Sequence, residues 1–145
     1  MKKAEIAVKN FENYNCTQSV LFSYAGDFCL DKEKALQVAV GFGTGMARLQ
    51  ETCGAISGAA MVLGLKSGFK EEHRRDKSNE VYAQIRSLVD EFKAQKSTIK
   101  CRELLNCDLT TEEGQKYFAE HNLKNNCREY IRICCELLDK YLAEK

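Results

Sequence analysis

The chain has 145 residues, with 22 lysines and arginines against 21 aspartates and glutamates, and its formal net charge is +1 at pH 7. Because the two signs are balanced and mixed, we expect no partner that requires a basic surface, such as nucleic acid or an acidic membrane. No apolar run approaches the roughly 20 residues of a membrane span. A chain of this size can bury about two-thirds of its unfolded surface without disulfides. We therefore expect a single domain over residues 1–145.

Eight cysteines are the most unusual feature of the composition. The N-terminal segment 4–9 mixes charged with apolar residues and does not have the apolar core of a secretion signal, so we expect a cytoplasmic protein. In a reducing compartment, cysteines serve as small buried residues, metal ligands or reactive thiols more often than as crosslinks.

The first third of the chain predicts three helices. Residues 3–12 predict a short one. Asn15 is a good N-cap and predicts a second helix that begins at Cys16 and ends at the next glycine. Asp31 predicts a third helix, which we expect to be buried because residues 35–40 are apolar on nearly all sides.

The stretch from residue 41 to residue 65 holds six of the nine glycines and organises the chain. Its second part predicts a helix with Thr52 as the N-cap and Cys53 in the first turn. A glycine inside a helix costs roughly 1 kcal/mol relative to alanine, so the helical glycines indicate close approach of another backbone. These glycines are Gly54, Gly58 and Gly64. The glycines before the helix predict a tight turn or a nest of backbone amides near the cysteine.

The second half predicts a polar linker over residues 66–78 and then four helices. The first is regular and amphipathic, from Ser78 or Asn79 to residues 93–97. The others are a short helix capped by Thr98, a helix that begins after Thr110 or Thr111, and a last helix capped by Asn125 and Asn126. We find no strand pattern and no repeat. The predicted fold is an all-α, single-domain bundle of about six to eight short-to-medium helices.

Four cysteines occupy the first turn of predicted helices, namely Cys16, Cys53, Cys101 and Cys127. Free N–H groups and the helix dipole stabilise a thiolate at such a position, so we expect lowered thiol pKa values. Thiolates are redox nucleophiles and ligands of soft metals, although core packing is the alternative role for these four. The remaining cysteines are interpreted as small buried residues: Cys29, Cys107, Cys134 and Cys135.

The ordered cysteines and the glycine segment resemble a known family. Five stretches carry the resemblance: Asn15-Cys16, Gly41-Phe42-Gly43-Thr44-Gly45, Cys53-Gly54-Ala55-x-x-Gly58, Cys101-Arg102-Glu103-Leu104-Leu105 and Cys127. The chain resembles the redox-active family named for a cysteine, a Cys-Gly-Ala-x-x-Gly motif and two further cysteines. It is also similar to the cysteine-bearing part of split-Soret cytochromes, where such cysteines are associated with an iron–sulfur centre.

The resemblance implies a small helical protein in which Cys16, Cys53, Cys101 and Cys127 are the functional cysteines. Cys134 and Cys135 compete with Cys127 for the last of these positions because the three are close in sequence. A haem is not expected, since no Cys-x-x-Cys-His motif is present. Whether an exposed apolar face pairs two copies of the chain as a homodimer is a question that the sequence leaves open.

Three functions follow as hypotheses. In the first, the four matched cysteines bind a two-iron or four-iron sulfur cluster and exchange electrons with an unidentified partner. In the second, the protein is metal-free, Cys53 attacks a disulfide and a neighbouring thiol such as Cys16 resolves it. In the third, the chain is a non-catalytic helical module with a structural zinc in a closed four-cysteine site, or with no metal.

Overall fold

The computed structural model describes residues 1–144 and contains eight α-helices. Their bounds are α1 Lys3–Asn10, α2 Cys16–Ala25, α3 Lys32–Ala39, α4 Gly54–Ser67, α5 Arg74–Lys96, α6 Cys101–Leu105, α7 Glu112–Glu120 and α8 Lys124–Ala143. One isolated antiparallel bridge joins Thr52 to Lys100, and the described residues form no strand. The all-α prediction is confirmed.

The starts of α2 and α3 are fixed by the side chains that the sequence identifies. Asn15 accepts a hydrogen bond from the backbone N–H of Gln18 at 2.9 Å, and the Gln18 side chain accepts one from the Asn15 N–H at 3.1 Å. This reciprocal pair satisfies two N–H groups that a helix start leaves free. Asp31 accepts from the Lys34 N–H at 3.0 Å and caps α3 through this single bond. Both predicted starts are confirmed.

Helices α2 and α4 cross closely, and glycine makes the crossing possible. A Cβ at Gly54 would overlap the sulfur of Cys16 and the hydroxyl of Thr17, and a Cβ at Gly58 would lie 2.9 Å from the Thr17 carbonyl oxygen. The Thr17 hydroxyl donates to the Gly54 carbonyl at 2.9 Å, which ties the two helices together. Gly64 differs, because no described atom outside its own helix lies within 4 Å of a Cβ built there. The close-approach prediction is therefore confirmed at two glycines and wrong at the third.

Helix α8 packs against α1, α2, α4 and α5 and completes the core. Ile131, Cys134 and Leu138 form its inward stripe, and each is 0% exposed. Tyr24 of α2 is fully buried, and its hydroxyl donates to Asp139 of α8 at 2.8 Å. A buried tyrosine needs such a partner, so this bond fixes α2 relative to α8.

Helix α3 is less buried than its apolar composition predicts. Only Ala35 and Ala39 are buried, whereas Val38 and Val40 are 57% and 59% exposed. The helix lies at the edge of the bundle and packs mainly against α2, so only its small residues face a neighbour.

The linker is shorter than the predicted range 66–78 and covers residues 68–73. Gly68 adopts a left-handed conformation with φ of 61° and ends α4, and α5 begins already at Arg74. Charged residues such as Glu and Arg have good helix propensity, so the polar start of α5 is a solvated helix face. Among the described residues, no helix combines the length and apolar character needed to cross a membrane.

Candidate functional site

One cavity of about 670 Å³ brings together the four cysteines that the sequence singles out. They come from the starts of α2, α4, α6 and α8. Two are buried, with exposed fractions of 6% for Cys53 and 7% for Cys101, and the other two, Cys16 and Cys127, are partly buried. We call these four residues the cavity thiols. Residues that lie up to 111 positions apart in sequence therefore share one space.

The start of α4 is held by backbone pairing with the segment before α6. The Cys53 N–H donates to the Ile99 carbonyl at 2.7 Å, and the Cys101 N–H donates to the Glu51 carbonyl at 2.6 Å. This pairing makes Cys53 the N-cap of α4 in place of Thr52, which corrects the predicted boundary. It also fixes two cavity thiols on neighbouring segments.

The starts of α6 and α8 each place a thiol in the first turn of the helix. Cys101 is the first residue of α6, after Lys100 rather than after a Thr98 cap. Helix α8 begins at Lys124, before the predicted Asn125–Asn126 cap, so Cys127 is its fourth residue. The prediction of first-turn positions is confirmed for these two thiols even though the capping residues differ.

A left-handed segment precedes α4 and lies against Cys16. Its residues from Thr44 to Arg48 all have positive φ, between 50° and 68°. Such backbone costs roughly 1–2 kcal/mol for each non-glycine residue, so neighbouring contacts must hold it in place. Burial raises the pKa of the Cys16 thiol, and backbone hydrogen bonds from Thr44, Thr17 and Gly54 oppose that rise without cancelling it. The predicted nest lay near Cys53, whereas the hydrogen bond from this segment, that of Thr44, reaches Cys16.

Burial nevertheless raises the pKa of every cavity thiol. It outweighs the backbone hydrogen bonds at Cys16 and takes the pKa of Cys53 well above its ordinary value. It raises the pKa of Cys101 to about 12 and that of Cys127 to about 12, and the charge of Cys16 adds to both shifts. The prediction of lowered pKa values is therefore wrong, because desolvation exceeds the effect of the helix ends.

The spacing of the cavity thiols bears on the kind of metal they can bind. Among the described residues, no three His, Cys, Asp or Glu side chains are arranged to hold one metal ion. A closed zinc site places each sulfur about 2.3 Å from the ion and so brings its sulfurs within roughly 4 Å of one another. A cluster places iron and sulfide atoms between its four thiolates and so takes a wider set. Four thiolates are a ligand set that both a zinc site and an iron–sulfur cluster use, so the chemistry of the thiols fits either group.

A family model described as "Putative redox-active protein (C_GCAxxG_C_C)" matches residues 14–141, a span that includes all four cavity thiols. The chain belongs to this family. The label gives the family's motif as Gly-Cys-Ala-x-x-Gly, so the Cys-Gly-Ala order expected for the family is wrong, and this chain has Cys53-Gly54-Ala55 in that place. Neither the curated proteins nor the solved structures that were searched gave a match. The sequence resemblance to the redox-active family is thus confirmed, and the similarity to split-Soret cytochromes stays a prediction.

The other four cysteines of this family member lie outside the cavity lining. Cys134 and Cys135 are 0% exposed inside α8, so their interpretation as small buried residues is confirmed. That interpretation is wrong for Cys29, which is exposed and left-handed with φ of 58°. Cys107 is partly buried, close enough to Cys101 to raise its pKa further.

Gln50 is a positioning residue that the sequence does not reveal. Its side chain is buried, with 1% of the residue exposed, donates to the Cys107 carbonyl at 2.8 Å and accepts from the Leu109 N–H at 2.8 Å. These two bonds hold the loop that follows α6 against the segment that precedes Cys53. The partners lie 57 and 59 residues away, so no local pattern could have indicated them.

Proposed function

We propose that this redox-active family member transfers electrons through an iron–sulfur cluster, with a donor or acceptor in the cytoplasm. The proposed ligands are Cys16, Cys53, Cys101 and Cys127. The observation that carries the proposal is the convergence of four thiols from four separate helix starts on one cavity. Two-iron and four-iron clusters each take four thiolates, and a bound cluster supplies one-electron chemistry.

The protein's own residues would bind and shield such a group. The backbone hydrogen bonds from Thr44, Thr17 and Gly54 reach the Cys16 sulfur, and hydrogen bonds to ligand sulfur tune reduction potential. Leu104 and Leu105 line the same cavity and limit the access of water. Because the cavity thiols hold their protons when no cation is near, binding must release protons to solvent.

A metal-free thiol–disulfide function is the second candidate, and the pairing of Cys16 with Cys53 favours it. After desolvation, the charge of Cys16 is the largest contribution to the raised pKa of Cys53. The Cys16 sulfur also lies directly against Gly54, the next residue along the chain. In this reaction Cys53 attacks a substrate disulfide and Cys16 resolves the mixed disulfide. The substrate leaves as two thiols while a Cys16–Cys53 bond forms.

The test is metal and sulfide analysis of protein purified without oxygen, together with its ultraviolet–visible spectrum. The proposal predicts coloured protein with iron and acid-labile sulfide in equal amounts. Zinc without sulfide would overturn it in favour of a structural site. Colourless protein that takes up neither iron nor sulfide on reconstitution would leave the thiol–disulfide candidate, which requires a Cys16–Cys53 bond in the oxidised protein by peptide mass analysis.

A further inference from the structure

The cavity extends outward beyond the cavity thiols. Its outer part, here called the cavity mouth, is lined by Phe11, Glu12, Arg48, Leu109, Phe118 and Lys124. The charged members of this set are exposed, whereas the apolar members are partly buried. The mouth therefore has an apolar wall and a charged rim, in contrast to the buried thiols at the inner end.

The apolar wall belongs to a cavity that is large enough for a small molecule. Phe11 follows α1 and Phe118 belongs to α7, so aromatic side chains from two separate parts of the chain line the mouth, with Leu109 beside them. Phe11 and Phe118 pack against the core on one side and line the cavity on the other, so each keeps apolar surface that a planar ligand can cover. The whole cavity, including the end lined by the cavity thiols, has a volume of about 670 Å³, which lies inside the roughly 300–1,000 Å³ range of ligand pockets.

The rim carries more positive than negative charge. Arg48 and Lys124 line it, against the single carboxylate of Glu12. Neither cation takes part in an ion pair within residues 1–144. The Lys124 ammonium lies 5.8 Å from the centre of the Phe11 ring, and the guanidinium of Arg128 lies 6.0 Å from it. Cations placed beside an apolar wall favour an anion that also carries a ring.

We infer that the cavity mouth binds a small planar molecule that is mainly apolar and carries one anionic group. Its ring covers Phe11 and Phe118, and its acidic group lies at Arg48 and Lys124. None of these contacts involves a cysteine, so the inference goes beyond the proposed function and holds whether or not the cavity thiols bind a cluster. A ligand in this position would lie beside the redox site and close it to solvent.

The test uses isothermal titration calorimetry with 2-naphthoate as the probe and 2-naphthalenemethanol as its neutral counterpart. We expect 2-naphthoate to bind at least about fivefold more tightly, because only the carboxylate meets the cations. Arg48→Gln and Lys124→Gln should each weaken 2-naphthoate binding roughly threefold and leave the alcohol unchanged. Lys116→Gln is the matched control, since Lys116 is an exposed lysine of α7 that does not line the cavity.

A second pair of variants tests the location of the ring. Phe118→Leu keeps an apolar side chain but removes the ring, so both probes should bind more weakly. Phe69→Leu is its control, because Phe69 is 51% exposed and lies outside this cavity. Circular dichroism confirms that each variant is folded, and iron and sulfide are assayed on the same samples, so loss of a cluster and loss of ligand binding are separate results.

The inference would be overturned by no binding heat with about 1 mM 2-naphthoate, by equal affinity for the charged and neutral probes, or by a Lys116→Gln effect as large as that of Lys124→Gln. Equal effects of Phe118→Leu and Phe69→Leu would also overturn it, because the ring would then not lie in the cavity mouth.

Discussion

The two halves of α8 use cysteine in different ways. Cys127, in the first turn, lines the cavity, whereas Cys134 and Cys135, about two turns further along, lie in the core and are 0% exposed. Burial raises the pKa of all three thiols, so a raised pKa does not separate a site from a core. What separates them is the cavity lining, which includes Cys127 but neither Cys134 nor Cys135, although Cys134 lies close enough to Cys53 for the charge of Cys53 to raise its pKa.

Thiol accessibility should show the largest contrast. In metal-free protein at pH 8, iodoacetamide should label exposed Cys29 first and Cys127 more slowly. Cys134 should react only through unfolding, at least roughly 10³-fold more slowly than Cys29, because it has no path to solvent in the folded state. Peptide mass spectrometry over time gives each rate. Equal labelling of Cys127 and Cys134 in native buffer would remove the distinction between the two halves of α8.

Two glycine substitutions test the helix crossing that supports the inner end of the cavity. Gly54→Ala should lower the free energy of unfolding by about 1–3 kcal/mol or more, because its Cβ would overlap Cys16 and Thr17. Gly64→Ala is the matched control and should raise stability by up to about 1 kcal/mol, since the site is open and alanine favours helix. Urea denaturation measures both. Equal effects would mean that α2 and α4 do not cross at Gly54.

Alkaline pH should destabilise the metal-free protein. The Cys127 thiol has an ordinary pKa of 9.0, and burial raises it to about 12 in the folded chain. The thiol therefore ionises first in the unfolded state, so stability does not change on its account below pH 9 and falls as the pH rises from 9 towards 12.

The contribution of one thiol can be isolated by substitution. Between pH 9 and pH 12, Cys127→Ala should lessen the fall in the free energy of unfolding by about 1.4 kcal/mol per pH unit, because the variant releases one proton fewer when it unfolds. Denaturant titrations of wild type and variant at a series of pH values give both slopes. Identical slopes would show that Cys127 is not desolvated.

The smallest effect is expected at the start of α2, next to the cavity. Asn15→Ala removes the capping box with Gln18 and should cost about 1 kcal/mol of stability. Lys34→Ala, which keeps the Asp31 cap because Lys34 contributes only its backbone N–H, is the control and should change little. Thermal or urea unfolding measures the stability of both variants. A loss no larger than that of the control would mean that the box does not hold Cys16 in place.

Local signals in the sequence were sufficient for much of the fold. Asn15 and Asp31 predict the starts of α2 and α3 because a cap is a contact between residues a few positions apart. Gly54 and Gly58 predict a close crossing because their cost within a helix needs a compensating contact. Of the cavity thiols, only Cys16 lies in the first turn of a helix whose predicted cap, Asn15, is the observed one.

The features that the sequence did not predict depend on contacts between residues that are far apart in the chain. Cys53 is the N-cap of α4 because its N–H donates to the Ile99 carbonyl. Gln50 is buried because its side chain hydrogen-bonds to the backbone of Cys107 and Leu109. The direction of the thiol pKa shifts depends on how deeply the thiols are buried, which only tertiary packing determines. Likewise, Val38 is exposed because α3 lies at the edge of the bundle.

The most direct test of the account compares the two halves of α8 by iron content. Cys127→Ala and Cys134→Ala are reconstituted without oxygen alongside wild type, and iron and acid-labile sulfide are measured per chain. The account predicts that Cys127→Ala loses the cluster and that Cys134→Ala keeps the wild-type content. Full cluster content in Cys127→Ala, or its loss only in Cys134→Ala, would contradict the assignment of the cavity thiols as ligands.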